Sequence, residues 1–136
     1  MPKSKHTIKS ETKRKVISKV RFYISKYKFD EAIHEIDEYI ANNSNCNYLL
    51  VFRSYALFRK GNRKQALKEM YDMLNTMNLT INDSIFAMSM YAEMLYREGD
   101  EANAIYYLQR VINESNTLEL IARGKLSKIY MGQKKI

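Results

Sequence analysis

The stretch YREGDEANAIYYLQRVI, from Tyr96 to Ile112, joins two apolar, tyrosine-rich runs through a glycine and an acidic residue. After Gly99, the residues Ala104, Leu108 and Val111 recur at the spacing of one helical face. A second stripe lies upstream of the glycine, at Met88, Ala92 and Leu95. The stretch therefore predicts two helices that are joined by a tight turn.

The same arrangement occurs twice more upstream, around Ala66 and around Ala32. Each alanine is followed by larger side chains four and seven positions later, and a small or short residue stands twelve positions before it. These flanking residues are Val20, Ile36 and Tyr39, then Ser54, Met70 and Met73, then Ala92, Leu108 and Val111. Small side chains let two helices cross closely, so we expect these positions to pack.

The predicted turns carry their own signal. Two of the three contain glycine followed by a capping residue, as Gly61-Asn62 and Gly99-Asp100. Glycine adopts the left-handed conformation that ends a helix, and Asn or Asp caps the helix that follows. In the first copy Tyr27 stands where the glycine is expected. Four extra residues within LNTMNLTINDS are predicted to lengthen the second helix of repeat two or the loop after it.

The first helix of each copy has a pattern of a large, an apolar, a small and an aromatic or large residue. The third copy reads Met88-x2-Tyr91-Ala92-x2-Leu95, the second Leu50-x2-Arg53-Ser54-x2-Leu57, and the first Val16-x2-Lys19-Val20-x2-Tyr23. With a spacing near 34 and the second-helix alanines, this resembles the tetratricopeptide repeat family. The chain departs from the family pattern at Val20 and Tyr27, and it lacks the proline between repeats. The resemblance implies an all-α fold, a right-handed α-α superhelix of about three helix-turn-helix repeats plus a C-terminal capping helix.

This reading divides the chain into a basic, flexible tail at 1–12, a repeat domain at 13–131 and a second tail at 132–136. Within the domain, the predicted repeats are 13–46, 47–80 and 85–116, and the capping helix is 117–131. A capping box at Asn116-Thr117-Leu118-Glu119 precedes this last helix. The helix repeats the first-helix pattern as Leu126-Ser127-x2-Tyr130, and its basic residues Arg123, Lys125 and Lys128 are expected to face solvent.

The net charge of +8 belongs to the two ends of the chain. Residues 1–21 carry +7 and residues 122–136 carry +5, whereas the body between them carries −4. No apolar run approaches the roughly 20 residues of a spanning helix, so we expect no membrane partner. A single cysteine, Cys46, cannot form an internal disulfide, which predicts a cytoplasmic protein, or a nuclear one in a eukaryote.

The sequence favours no catalytic, metal or cofactor site. His34 and Glu38 are four residues apart but lack a third ligand, and Cys46 has no histidine near it in the sequence. There is no glycine-rich phosphate loop. The acidic residues Asp30, Glu31, Glu35, Asp37 and Glu38 lie mostly in the first turns of a helix, where they complement its dipole. We therefore expect a protein that is not an enzyme.

In the tetratricopeptide family the first helices line the concave side, so the resemblance implies a partner-binding groove. The residues predicted to line it are Arg14, Ile17, Arg21, Tyr48, Val51, Tyr55, Phe58, Arg59, Phe86, Ser89, Glu93, Tyr96 and Arg97. Tyrosine and arginine are common interface anchors because they bury large areas and keep a polar end. We expect an adaptor that binds a peptide or a partner helix with apolar and acidic groups.

Two alternatives stay open on the sequence. The basic termini could bind nucleic acid or a ribosome, although a solvated tail is favoured over this reading. The chain could also be a self-associating segment of a larger scaffold, with its methionines adapting to a second copy. These methionines are Met70, Met73, Met77, Met88, Met90 and Met94. Packing within the core is the favoured role for them.

Overall fold

A computed structural model describes residues 5–43, 46–114 and 119–133, with side chains described from 12–43, 46–114 and 122–133. These residues contain seven helices and no strand, which confirms the all-α prediction. The helices are α1 Lys5–Ser25, α2 Phe29–Asn42, α3 Asn47–Arg59, α4 Arg63–Thr76, α5 Ile81–Arg97, α6 Glu101–Glu114 and α7 Glu119–Gln133. Within the part of the chain that is described, none of them combines the length and the apolar character needed to cross a bilayer.

The helices keep the register that the alanines predict. The second helix of each pair, α2, α4 or α6, has 14 residues, and each begins three positions before its alanine, which is Ala32, Ala66 or Ala104. The first helices also end in register, at Ser25, Arg59 and Arg97. All three alanines are fully buried, as their predicted packing role requires.

The three turns share one hydrogen-bond pattern. The amide of Lys28 donates to the carbonyl of Tyr23 at 2.8 Å, and the amides of Asn62 and Asp100 donate to the carbonyls five residues before them at 2.9 Å. This is the Schellman closure of a helix, which requires a left-handed residue just before the donor. Gly61 and Gly99 have φ values of 118° and 90°, and Tyr27 adopts the same region with φ 59°. The first turn therefore keeps the geometry of the other two, although tyrosine replaces the expected glycine.

The four extra residues near position 80 are absorbed at the start of α5. Helix α4 ends at Thr76, in register with α2 and α6, whereas α5 begins four residues earlier than the spacing from α3 requires. The hydroxyl of Thr80 accepts a hydrogen bond from the amide of Asp83 at 3.1 Å and caps the new first turn. Four residues separate α4 from α5, as four separate α2 from α3, so the insertion lies in the first turn of α5 rather than in α4 or in the loop.

Helix α1 begins at Lys5 and so extends into the segment 1–12 that was predicted to be a basic, flexible tail. Between Pro2 and Ser25 the sequence contains neither proline nor glycine, so no residue there disfavours continuing the helix. At the other end, α7 continues to Gln133, two residues past the predicted boundary. The predicted capping box lies mostly at residues 115–118, outside the described residues.

The chain divides into two compact units, which are described separately. Unit 1 is Met1–Arg63 and contains α1, α2 and α3, in which α2 packs against both other helices. Val20, Ile36 and Leu49 are fully buried. Two ion pairs join α2 to the third helix and the turn after it, from Arg53 to Asp37 and from Lys60 to Asp30, each at 2.7 Å. The carboxylates of α2 therefore pair with neighbouring cations.

Unit 2 is Lys64–Ile136 and contains α4 to α7, in which α6 packs against both α5 and α7. Helix α7 presents Ala122, Leu126 and Ile129 as its buried stripe, whereas Ser127 and Tyr130 are exposed. The predicted alignment on Leu126-Ser127-x2-Tyr130 is therefore wrong by one residue. The buried stripe has the same internal spacing as Met88-x3-Ala92-x2-Leu95, so α7 follows the register of a first helix, with leucine at the small position.

Candidate partner-binding cleft

Three residues predicted to face a groove from α3 are instead buried. Val51 and Phe58 are almost completely inaccessible and Tyr55 is 6% exposed. Helix α3 is apolar around most of its circumference, with eight of its 13 residues buried. A helix of this kind has no free face, so its periodicity cannot separate a binding surface from the core.

Arg59, another of the predicted groove residues of α3, is held by aromatic rings. Its guanidinium carbon lies 5.6 Å from the ring centre of Tyr27, 5.3 Å from that of Phe29 and 5.7 Å from that of Tyr55. Nη1 also donates a hydrogen bond to the Tyr55 hydroxyl at 2.7 Å. A guanidinium in contact with three aromatic faces stabilises unit 1 through cation–π attraction. We define these four residues as the Arg59 cluster.

The remaining predictions from the first helices divide by exposure. Arg14 and Arg21 are exposed on α1, while Ile17, Tyr48 and Phe86 are half-buried. The Ser89 hydroxyl donates to the carbonyl of Ile85 at 2.9 Å, a bond within α5 itself.

The last three predicted residues, Glu93, Tyr96 and Arg97, do come together with others in unit 2. They line one wall of a cleft of about 350 Å³ between α5 and α7. Its floor is apolar and comes from three helices, with Ala92 on α5, Leu108 on α6 and Ile129 on α7. The opposite wall contributes Lys125 and Lys128. We call this site the α5–α7 cleft.

The rim of the α5–α7 cleft is predominantly cationic. Three cations, Arg97, Lys125 and Lys128, line it together with one carboxylate, that of Glu93. Arg97 Nη2 lies 3.5 Å from Glu93 Oε1, a long contact between partly exposed groups, which contributes little to stability. Tyr96 adds a ring that is 42% exposed. The cleft therefore combines an apolar floor, an accessible aromatic side chain and cations that are free to change partner.

Sequence reasoning missed the α7 side of the cleft. Arg123 and Lys128 are exposed, as predicted, and Lys125 is half-buried, but the prediction did not include that both lysines line the cleft. Their signal is in the sequence, because Ile129 occupies the place in its stripe that Leu95 occupies in α5, which gives α7 the register of a first helix. Taking Ser127 as the small position conceals it.

A network of tyrosines stabilises the other side of α5. The rings of Tyr91 and Tyr107 meet edge to face with centres 5.0 Å apart. Burial, reinforced by Tyr107, raises the pKa of Tyr91 to about 12, and burial also raises the pKa of Tyr107. Arg110 lies 5.8 Å from the ring centre of Tyr106 and 6.0 Å from that of Tyr107. Both hydroxyls stay protonated at neutral pH, so these rings act as packing groups.

Among the described residues, no three histidine, cysteine, aspartate or glutamate side chains come close enough to hold a metal ion. His34 and Glu38 form an exposed contact at 3.1 Å, as their spacing predicts. Cys46 is buried at the start of α3. Of the six methionines considered for self-association, Met70, Met73, Met88 and Met94 are buried in the core, Met90 is half-buried and Met77 is exposed.

A second basic surface lies on α1. Arg14, Lys15, Ser18, Lys19 and Phe22 line a shallow depression along this helix. Its residues belong to unit 1, so it is separate from the α5–α7 cleft. The depression is open and its one large apolar side chain is exposed.

Comparison with known proteins does not assign the chain to a family. No protein-family model, no curated protein and no solved structure matches this chain. The tetratricopeptide resemblance therefore stands on the residues of the chain itself, and nothing in these comparisons identifies the family.

Proposed function

We propose that the chain is a non-enzymatic protein-interaction module, an adaptor that binds a peptide or a partner helix in the α5–α7 cleft. The observation that carries this proposal is the cleft itself, with an apolar floor of Ala92, Leu108 and Ile129 beneath a mostly cationic rim. In the tetratricopeptide-like arrangement suggested by the sequence, three repeats and a capping helix would form a right-handed superhelix with this cleft on its concave side. The single cysteine suits a cytoplasmic setting.

The cleft favours a particular kind of peptide. Its volume of about 350 Å³ is at the low end of the roughly 300–1,000 Å³ that ligand pockets occupy, which suits one or two anchoring side chains. An apolar side chain would cover the floor, and acidic groups beside it would meet Arg97, Lys125 and Lys128. A bound carboxylate would replace the weak contact of Arg97 with Glu93. The favoured partner is therefore an acidic segment with an apolar anchor.

A random peptide library displayed on phage tests the proposal on the full chain. We expect the enriched sequences to place Asp or Glu on either side of an apolar or aromatic residue. Isothermal titration calorimetry with the most enriched peptide should give an affinity that falls about 100-fold in an Arg97→Gln, Lys128→Gln double variant, since each ionic hydrogen bond contributes on the order of 1.5 kcal/mol.

The matched control is Lys64→Gln with Lys68→Gln, which removes the same charge from exposed positions of α4. This variant should bind the peptide like the unchanged chain. Equal losses of peptide affinity in the two double variants would show that only the net charge matters. Peptides that still bind after the cleft substitutions would show that the site lies elsewhere. A library that yields no enriched sequence would count against the peptide-binding function itself.

A further inference from the structure

The α1 surface is defined here by Arg14, Lys15, Ser18, Lys19 and Phe22, which line one depression along a single helix. All five residues are exposed. They lie at intervals of one, three or four positions, so the surface runs along the outer face of α1. The opposite face contains Val20, which is fully buried as α1 packs against α2.

This surface is strongly positive. From Thr12 to Lys28 the chain contains seven Lys and Arg residues and no acidic residue. Among the side chains described, Lys19 forms an ion pair with Glu35 at 3.6 Å, and its own side chain remains 61% exposed. Arg14 and Lys15 are exposed beside it. The cations therefore lie exposed along one helix, where an anionic ligand can reach them.

An exposed aromatic ring lies among the cations. Phe22 is 55% exposed, and Lys26 Nζ lies 5.9 Å from the centre of its ring. More than half of this large apolar side chain therefore remains accessible to a ligand. A flat ring beside several cations does match the two needs of a single-stranded nucleic acid, which are phosphate neutralisation and a surface on which a base can stack.

We propose that the α1 surface binds single-stranded nucleic acid. Arg14, Lys15 and Lys19 contact phosphates, while the exposed face of Phe22 stacks on a base. The residues of this surface belong to unit 1 and differ from those of the α5–α7 cleft, so the proposal does not rest on peptide binding.

Other anionic partners fit the surface less well. A helix that lies in a bilayer interface needs a broad apolar face, but the apolar face of α1 packs within unit 1 and Phe22 is the one large apolar side chain in the depression. A partner helix needs a groove with several apolar contacts at helical spacing, which a single ring does not supply. The combination of dense charge and one isolated ring favours a flexible polyanion with stackable groups.

Fluorescence anisotropy of a labelled oligouridine tests this proposal on the full chain, with an oligothymidine of equal length as the second probe. We expect binding to both, with a slope of log affinity against log salt that reflects phosphate contacts. Tighter binding of oligouridine would identify RNA as the preferred strand through its 2′-hydroxyl, and equal binding would identify either strand. No binding of either probe at low salt would overturn the proposal.

An Arg14→Gln, Lys15→Gln double variant should weaken oligonucleotide binding about 10-fold or more and reduce the salt slope by about 1.4, or about 0.7 for each lost phosphate contact. Lys64→Gln with Lys68→Gln is the charge-matched control and should retain the affinity. If the control loses as much affinity as the α1 variant, the binding is due to general electrostatic attraction and not to a defined site on α1.

Stacking has a separate test. Phe22→Ala should weaken binding about 5-fold or more, and Phe22→Leu should weaken it nearly as much, because leucine retains apolar area but lacks an aromatic face. Both variants should unfold in urea like the unchanged chain, since Phe22 is exposed. Full affinity in Phe22→Ala, or tighter binding to polyglutamate or to anionic vesicles than to the oligonucleotides, would overturn the assignment to nucleic acid.

Discussion

Arg59 and Arg97 occupy the same position in two successive repeats, each as the last residue of a first helix, yet they have different surroundings. Arg59 contacts three aromatic rings and donates to the Tyr55 hydroxyl, so it stabilises unit 1. Arg97 makes one long contact with Glu93 and borders the open α5–α7 cleft. The residue four positions before each arginine differs in the same way. Tyr55 is buried, whereas Glu93 is partly exposed. Equivalent repeat positions therefore share a backbone geometry without sharing a role.

The largest expected effect separates these roles directly. Arg59→Gln should lower the free energy of unfolding by about 2 kcal/mol, because it removes a charged hydrogen bond and cation–π contacts. Arg97→Gln should change it by less than about 0.5 kcal/mol, as is usual for exposed ion pairs. Urea unfolding followed by circular dichroism measures both. Equal losses in the two variants would remove the distinction between a structural and a binding arginine.

Peptide affinity should show the opposite order. Arg97→Gln weakens a cleft-binding peptide about 10-fold, whereas Arg59→Gln leaves the affinity unchanged in conditions where the protein stays folded. Titration calorimetry with the phage-selected peptide provides the measurement. A peptide that depends on Arg59 and not on Arg97 would return the site to unit 1.

Replacing a turn glycine should give the next largest effect, a loss of stability. Gly99→Ala should cost about 1 kcal/mol of stability, because its φ of 90° disfavours a side chain although no atom lies within 4 Å of the added Cβ. Gly124→Ala is the matched control in unit 2, with the same open space but a place inside α7. It should stabilise the protein by about 0.5–1 kcal/mol. Changes of the same sign in urea unfolding would contradict the assignment of Gly99 to a conformational role.

Replacing Tyr27 is expected to change the free energy of unfolding only slightly, because two contributions oppose each other. Tyr27→Gly relieves a left-handed tyrosine by about 1 kcal/mol but removes the ring that contacts Arg59. In an Arg59→Gln background the same change should become clearly stabilising. A double-mutant cycle of unfolding free energies measures this coupling, and a coupling of zero would mean that the ring and the guanidinium act independently.

At neutral pH the smallest effect concerns the tyrosines of unit 2. Tyr91 has its pKa raised from 10 to about 12 in the folded chain, so the folded state retains a proton that the unfolded state loses above pH 10. The associated stability is complete below pH 10 and is lost as the pH rises towards 12. Tyr91→Phe should therefore flatten the decline of stability across this range. An unchanged decline in alkaline urea titrations would show that other groups cause it.

The sequence was sufficient to locate the turns, because glycine followed by Asn or Asp and the buried alanines constrain the same register. It failed for α3, since a helix that is apolar on most sides does not reveal which side is accessible. The predicted register of the buried stripe of α7 was also wrong by one residue. Its register was inferred from one serine, Ser127, which is exposed and suggested the wrong position. The lysines of the cleft were missed for that reason.

The junction between the loop 77–80 and the first turn of α5 marks the place where the fold tolerates added length. Four residues are accommodated there without altering the 14-residue length of α4 or α6, or the closing hydrogen bond at Asp100. An inserted affinity tag, protease site or fluorophore-binding peptide at this loop should therefore leave both the helical pairing of α5 with α6 and the α5–α7 cleft intact. The same insertion at Gly61 or Gly99 would separate the carbonyl and amide that close the turn. For anyone who wishes to couple this protein to a reporter, the loop before α5 is the position of choice.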